Sequence, residues 1–111
     1  MPFRPTSIVV HPLIQEKFDG LTRLALRRRQ PALAVAKAIV VSVGRIKADG
    51  QWGEVIPTES IPEHYRSTYG VTNLYCIDLP AFHRLVYTIR GRDVIVLDLL
   101  DHREYDRLFR A

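Results

Sequence analysis

An α+β fold is predicted for this chain: a helical hairpin packed on one face of a four-stranded, mostly antiparallel sheet, with a short helix at the C-terminal end. Three observations predict it. Apolar residues recur at helical spacing from Ile14 to Ile46, β-branched runs alternate with turn residues from Val71 to Leu100, and a separate β-branched run occupies Ser7 to His11. Helical stripes and half-buried strands bury each other best as helices layered on a sheet. With 111 residues, the chain is expected to form a single domain, 1–111, because a core of this size buries only about two thirds of the surface the unfolded chain exposes.

Ser7-Ile8-Val9-Val10-His11 reads as the first strand, closed by Pro12. From Pro12 onward Ile14, Phe18, Leu21, Leu24 and Ala25 share one face of a first helix, and Arg23, Arg27, Arg28 and Arg29 gather where the helix dipole favours cations. Their ordinary role is a solvated helix end, and contact with RNA is the functional alternative. Pro31 suits the first turn of a second helix, whose stripe runs through Val35, Ala36, Ile39, Val43 and Ile46 until Asp49-Gly50 stops it. Residues Gln51 to Gly70 contain Pro57, Pro62, Gly53 and Gly70 with little periodicity, and read as a linker pinned to the core by Ile56, Ile61 and Tyr65. Val71 to Leu79 is expected to be a strand ended by Pro80, and Arg84–Ile89 and Val94–Leu100 to be the strands of a hairpin around Gly91. In this arrangement the sheet's second face is left free for a ligand.

Sixteen Lys and Arg against twelve Asp and Glu give a formal charge of +4, mostly from arginine, which favours anionic partners such as RNA or an acidic protein. Composition of 47% apolar and 25% charged residues excludes a disordered chain. Cys76 is the only cysteine, so no disulfide forms within the chain and no cysteine-based zinc site is possible. The first residues lack the apolar core of a signal peptide, and no run approaches the roughly 18 apolar residues of a membrane span. A cytoplasmic chain with no membrane partner is expected.

The candidate functional residues lie in the last third. Asp101-His102-Arg103-Glu104 has the spacing of a capping box, which places His102 on the first turn of the last helix, where free N–H groups and the dipole attract phosphate. Strand alternation sends Leu85, Tyr87 and Ile89 to the buried face and Arg84 to the other. A three-residue turn, Arg90 to Arg92, sets Arg84 opposite Asp98, either as a cross-strand ion pair or as a cation aimed at phosphate and steadied by that carboxylate. Arg103 is a surface charge or a second phosphate contact. Tyr105, Leu108 and Phe109 make an i, i+3, i+4 stripe; the last two suit core packing, and Tyr105, about one turn from His102, suits packing, stacking on a base or donation of a proton.

The element order, together with Gly70-Val71-Thr72-Asn73-Leu74, Arg84-Leu85-Val86-Tyr87-Thr88-Ile89 and Leu100-Asp101-His102-Arg103-Glu104-Tyr105-Asp106-Arg107-Leu108-Phe109, resembles the RelE/ParE superfamily of bacterial and archaeal toxins, and more closely its RelE branch. The resemblance implies a RelE-like toxin of a type II toxin-antitoxin system. Such a protein is a small ribonuclease that cuts messenger RNA in the ribosomal A site, uses no metal and no cofactor, and is silenced by a cognate antitoxin. Arg84 resembles the family's third-strand arginine, His102 the histidine that several branches place after the fourth strand, and Tyr105 or Phe109 the aromatic residue of the last helix.

RelE itself relies on lysines in its second strand. Val71 to Leu79 has none, which puts a lysine-based mechanism out of reach and leaves the resemblance compatible with branches that use histidine and carboxylate, here His102 and Asp78 or Asp98. Metal-free RNA cleavage requires a base for the 2′-OH, a cation for the charge developing at phosphorus and an acid for the 5′-oxygen, and histidine serves as acid or base near neutral pH. Arg84, His102, Arg103 and Tyr105 are the expected site residues. Two alternatives are a non-catalytic RelE-fold module that binds an antitoxin or RNA, and a ParE-like toxin directed at gyrase.

Overall fold

The computed structural model describes residues 2–110. Among them the chain forms β1 (Ser7–Val10), α1 (Gln15–Leu26), α2 (Ala32–Ala48), β2 (Glu54–Val55), α3 (Glu63–Tyr69), β3 (Tyr75–Leu79), β4 (His83–Arg90), β5 (Asp93–Leu100) and α4 (His102–Phe109). The sheet order is β1-β5-β4-β3-β2, with β1 parallel to β5 and every other pair antiparallel. The fold is therefore α+β with a mostly antiparallel sheet. The sheet has five strands where four were expected, because Glu54 and Val55 of the presumed linker add a two-residue edge strand to β3.

The helical hairpin forms as the stripes require. Val35 and Ile46 of α2 are fully buried against Leu85, Tyr87, Val94 and Val96, with Phe18, Leu21 and Ile39 packed around them. α1 ends at Leu26, so Arg27, Arg28 and Arg29 belong to the connecting turn and not to the helix. Pro31 occupies the position just before α2 instead of its first turn.

The expectation of a free second face is overturned. Residues 63–69 form α3, which with α4 covers that side of the sheet around a second core of Ile61, Tyr65, Val71, Leu74, Cys76, Val86, Leu97 and Leu100. Tyr65, expected to pin the linker, has no solvent exposure. Gly70 ends α3 at φ +64°, the left-handed conformation that glycine adopts without steric cost.

Val71 to Leu74 does not continue β3, yet the pairing does not stop there. The Asn73 amide donates to Ile89 O at 2.9 Å and its Oδ1 accepts from Ile89 N at 2.8 Å, so one side chain supplies both bonds of a missing ladder residue. The expected β4–β5 hairpin is present, closed by the two residues Gly91-Arg92 with Arg90 paired to Asp93. Between Val86↔Asp98 and Tyr87↔Val96 the register shifts, leaving Leu97 as the extra residue of a bulge. Leu97 and Asp98 consequently both serve the α3/α4 face. No helix among the described residues is long and apolar enough to cross a membrane.

Candidate functional site

The expected site residues gather at one rim of the sheet, where β3 turns into β4 and β5 passes into α4. Two local devices build this rim. Pro80 to His83 forms a four-residue turn, with His83 N donating to Pro80 O at 3.3 Å, and its central residues Ala81 and Phe82 sit at φ +57° and +59°. At the other side α4 begins with a complete capping box. Glu104 N donates to Asp101 Oδ1 at 2.9 Å and Asp101 N donates to Glu104 Oε1 at 3.1 Å. His102 is thereby held on the first helical turn.

Arg84 does not face Asp98. Its strand partners are Leu100 on β5 and Asp78 on β3, and its Nη1 pairs with the Asp78 carboxylate. The physical reason lies in the hairpin: the two-residue turn moves the register by one position relative to a three-residue turn, and the bulge at Leu97 moves it by another. On its other side the guanidinium carbon of Arg84 lies 4.7 Å from the centre of the Tyr105 ring, a cation–π contact, and Tyr105 stacks on Phe109 with centroids 4.6 Å apart and planes within 9°. Tyr105, Leu108 and Phe109 all pack on the second core, so Tyr105 combines packing with support of Arg84.

His102 is exposed. Its Nε2 lies 3.2 Å from Asp106 Oδ2, one turn along α4, and its ring is 5.8 Å from that of Phe82. No hydrogen bond or ion pair joins His102 to Arg84 among the described residues. Arg103 is exposed and has no carboxylate partner among them. His83 turns to the opposite face, lining a cavity of about 290 Å³ with Lys17, Leu21, Leu24 and Glu104.

Asp98, placed by sequence beside Arg84, is instead the centre of a polar cluster. It is 7% exposed and accepts from Lys17 Nζ at 3.2 Å, from the Tyr65 hydroxyl at 3.1 Å and from Leu99 N at 2.9 Å. Lys17 Nζ also donates to Glu104 Oε2 at 2.9 Å, linking α1 to the capping box of α4. Burial alone lowers the basicity of the Lys17 ammonium, but Glu104 and Asp98 more than offset it and its pKa rises. Burial, with Asp98 adjacent, pushes the Tyr65 phenol up strongly. Lys17 was not among the expected residues. Its charge breaks the apolar stripe of α1, a weak signal without knowledge of which strand faces it.

Among the described residues no group of three or more His, Cys, Asp or Glu side chains is placed to hold a metal ion. Cys76 is buried in the second core, and burial pushes its thiol up to about 12, which suits packing and not nucleophilic attack. No protein-family profile, no curated protein and no solved structure matches the chain.

Proposed function

We propose that this chain is a RelE-like toxin of a type II toxin-antitoxin system, a metal-independent endoribonuclease that cleaves ribosome-bound messenger RNA by attack of the 2′-OH on the adjacent phosphorus. The observation that carries the reading is the Arg84 guanidinium held between Asp78 and the Tyr105 ring on the same rim as the exposed His102. A cation steadied on two sides is pre-organised to receive the negative charge that develops on the phosphoryl oxygens. His102 takes the proton of the 2′-OH or delivers one to the departing 5′-oxygen, and Asp106 orients its ring. Arg103, adjacent in sequence and without a carboxylate partner among the described residues, meets a second phosphate. Tyr105 acts through Arg84, as a positioning residue.

Purified protein added to a translating extract is expected to cut the message within codons, and Arg84→Ala or His102→Ala to abolish cutting. Intact message on programmed ribosomes would overturn the enzymatic reading.

A second reading, a binding module of the same fold that contacts an antitoxin or RNA without cutting, is favoured by two observations. Arg84 and His102 are each already engaged by a carboxylate. The hairpin also carries an open apolar groove of about 350 Å³ between Phe18, Leu21 and Leu26 of α1 and Leu33, Ile39 and Val40 of α2, the kind of surface that a protein partner covers. Growth arrest on expression, relieved by co-expression of a cognate antitoxin, decides for the toxin; normal growth in a host with compatible ribosomes decides for the module.

A further inference from the structure

The turn between β3 and β4 is unusual. Ala81 and Phe82 both occupy the left-handed region, where Asn, Asp and Gly are the residues that turns of this kind ordinarily use. A bulky side chain at such a φ strains the backbone. The strain gains no packing in return: Phe82 is 76% exposed and belongs to neither core. Among the described residues its one aromatic neighbour is His102, with ring centroids 5.8 Å apart and planes inclined by 58°. Two residues along the chain from Phe82 stands Arg84, and next to His102 in sequence stands Arg103, exposed and without a carboxylate partner among the described residues. The rim thus displays an open aromatic face beside the His102 imidazole, on the same edge as Arg84, which is paired with Asp78, and Arg103, and the conformation that displays it is one that folding alone does not favour.

We propose that Phe82 is a stacking platform for an unpaired nucleobase, set so that the phosphate attached to that nucleotide falls between His102, Arg103 and Arg84. Every base has a π face, so a single exposed ring accepts bases with little regard to sequence, while the adjacent cations take the backbone. A flat ligand bearing an anion matches this combination, and a single-stranded nucleic acid supplies both on each residue. The proposal rests on the RNA reading of the same rim and adds to it the group that holds the base next to the phosphate being attacked.

The test uses the full chain and a short single-stranded 2′-O-methyl oligonucleotide carrying 2-aminopurine, which 2′-OH chemistry does not cut. Stacking on Phe82 is expected to change the 2-aminopurine fluorescence on titration. Phe82→Tyr is expected to bind like the parent chain, whereas Phe82→Leu, apolar but without a π face, is expected to bind about tenfold more weakly. Phe82→Gly is expected to lose binding to the same extent while its thermal midpoint rises, because glycine relieves the positive φ. An unchanged signal with the parent chain, or equal binding by Phe82→Leu, overturns the platform. The two readings fail separately. Phe82-dependent stacking with intact ribosomal message removes the ribonuclease and keeps the platform, and message cut equally by parent and Phe82→Leu, with equal binding, removes the platform alone.

Discussion

The guanidinium of Arg84 lies 4.7 Å from the centre of the Tyr105 ring, and this contact ties β4 to α4. The Tyr105 hydroxyl has no hydrogen-bond partner among the described residues, so the ring and not the oxygen carries the interaction. Tyr105→Phe should therefore retain cleavage of ribosome-bound message within about threefold, as a cation–π contact survives the loss of the hydroxyl. Tyr105→Ala should lower it at least about tenfold by freeing the cation, with KM less affected than kcat. Cleavage assays on both variants check this, and loss in Tyr105→Phe would show that the hydroxyl donates a proton.

Lys17 bridges Asp98 and Glu104 and so fastens α1 to β5 and α4. Its side chain is 38% exposed against 9% for Asp98, so the pair lies between a solvated surface bridge and a buried one. Lys17→Met should cost about 1–2 kcal/mol, more than a surface pair and less than a buried one, because Tyr65 and Leu99 still donate to the carboxylate. Adding Asp98→Asn should return part of that loss, since no buried charge is then left uncompensated. Urea denaturation of the two single variants and the double variant measures the coupling.

What the sequence made legible was local. The two hairpin helices, the β4–β5 hairpin and the capping box each depend on residues a few positions apart, and each is present. α3 was not legible, since seven residues with Tyr65 and Tyr69 as their only apolar members leave no period to read between Pro62 and Gly70. β2 is too short to signal itself. The site differs from the expectation in its partners: a two-residue turn and a bulge between β4 and β5 each shift the register and carry Asp98 away from Arg84, while the Pro80–His83 turn sets Asp78 opposite it, and none of these is encoded by alternation. Asp98 then serves a cluster whose other members, Lys17 and Tyr65, are distant in sequence.

Tyr87 and Gly53 make a second prediction of packing. The Tyr87 hydroxyl donates to Gly50 O at 2.7 Å and accepts from Gly53 N at 2.9 Å, in a site where its ring stacks on Tyr75 with centroids 5.1 Å apart. A Cβ on Gly53 would lie 2.8 Å from that hydroxyl. Gly53→Ala should therefore destabilise by about 1–3 kcal/mol, by displacing the phenol from both partners, and Tyr87→Phe by a similar amount, by leaving Gly50 O and Gly53 N without it. Thermal unfolding of the single and double variants should show losses that do not add, as both remove one network.

Stability should fall on the alkaline side. Burial pushes Cys76 from its ordinary 9.0 up to about 12 and Tyr87 from 10.0 up to about 12, and raises Tyr65 and Tyr69, while carboxylate partners raise Lys17 from 10.5. In every case the folded chain keeps a proton that the unfolded chain releases, so rising pH favours unfolding. These groups leave stability level below about pH 8 and withdraw it from pH 9 to 12, Cys76 first and the tyrosines and Lys17 next. A fully shifted buried group withdraws about 1 kcal/mol per pH unit over its window. Urea midpoints at intervals from pH 7 to 11 should trace this decline. In Cys76→Ala, which costs packing at all pH values, the part of the decline beginning at pH 9 should disappear; an unchanged slope in that variant would exclude the thiol as its source.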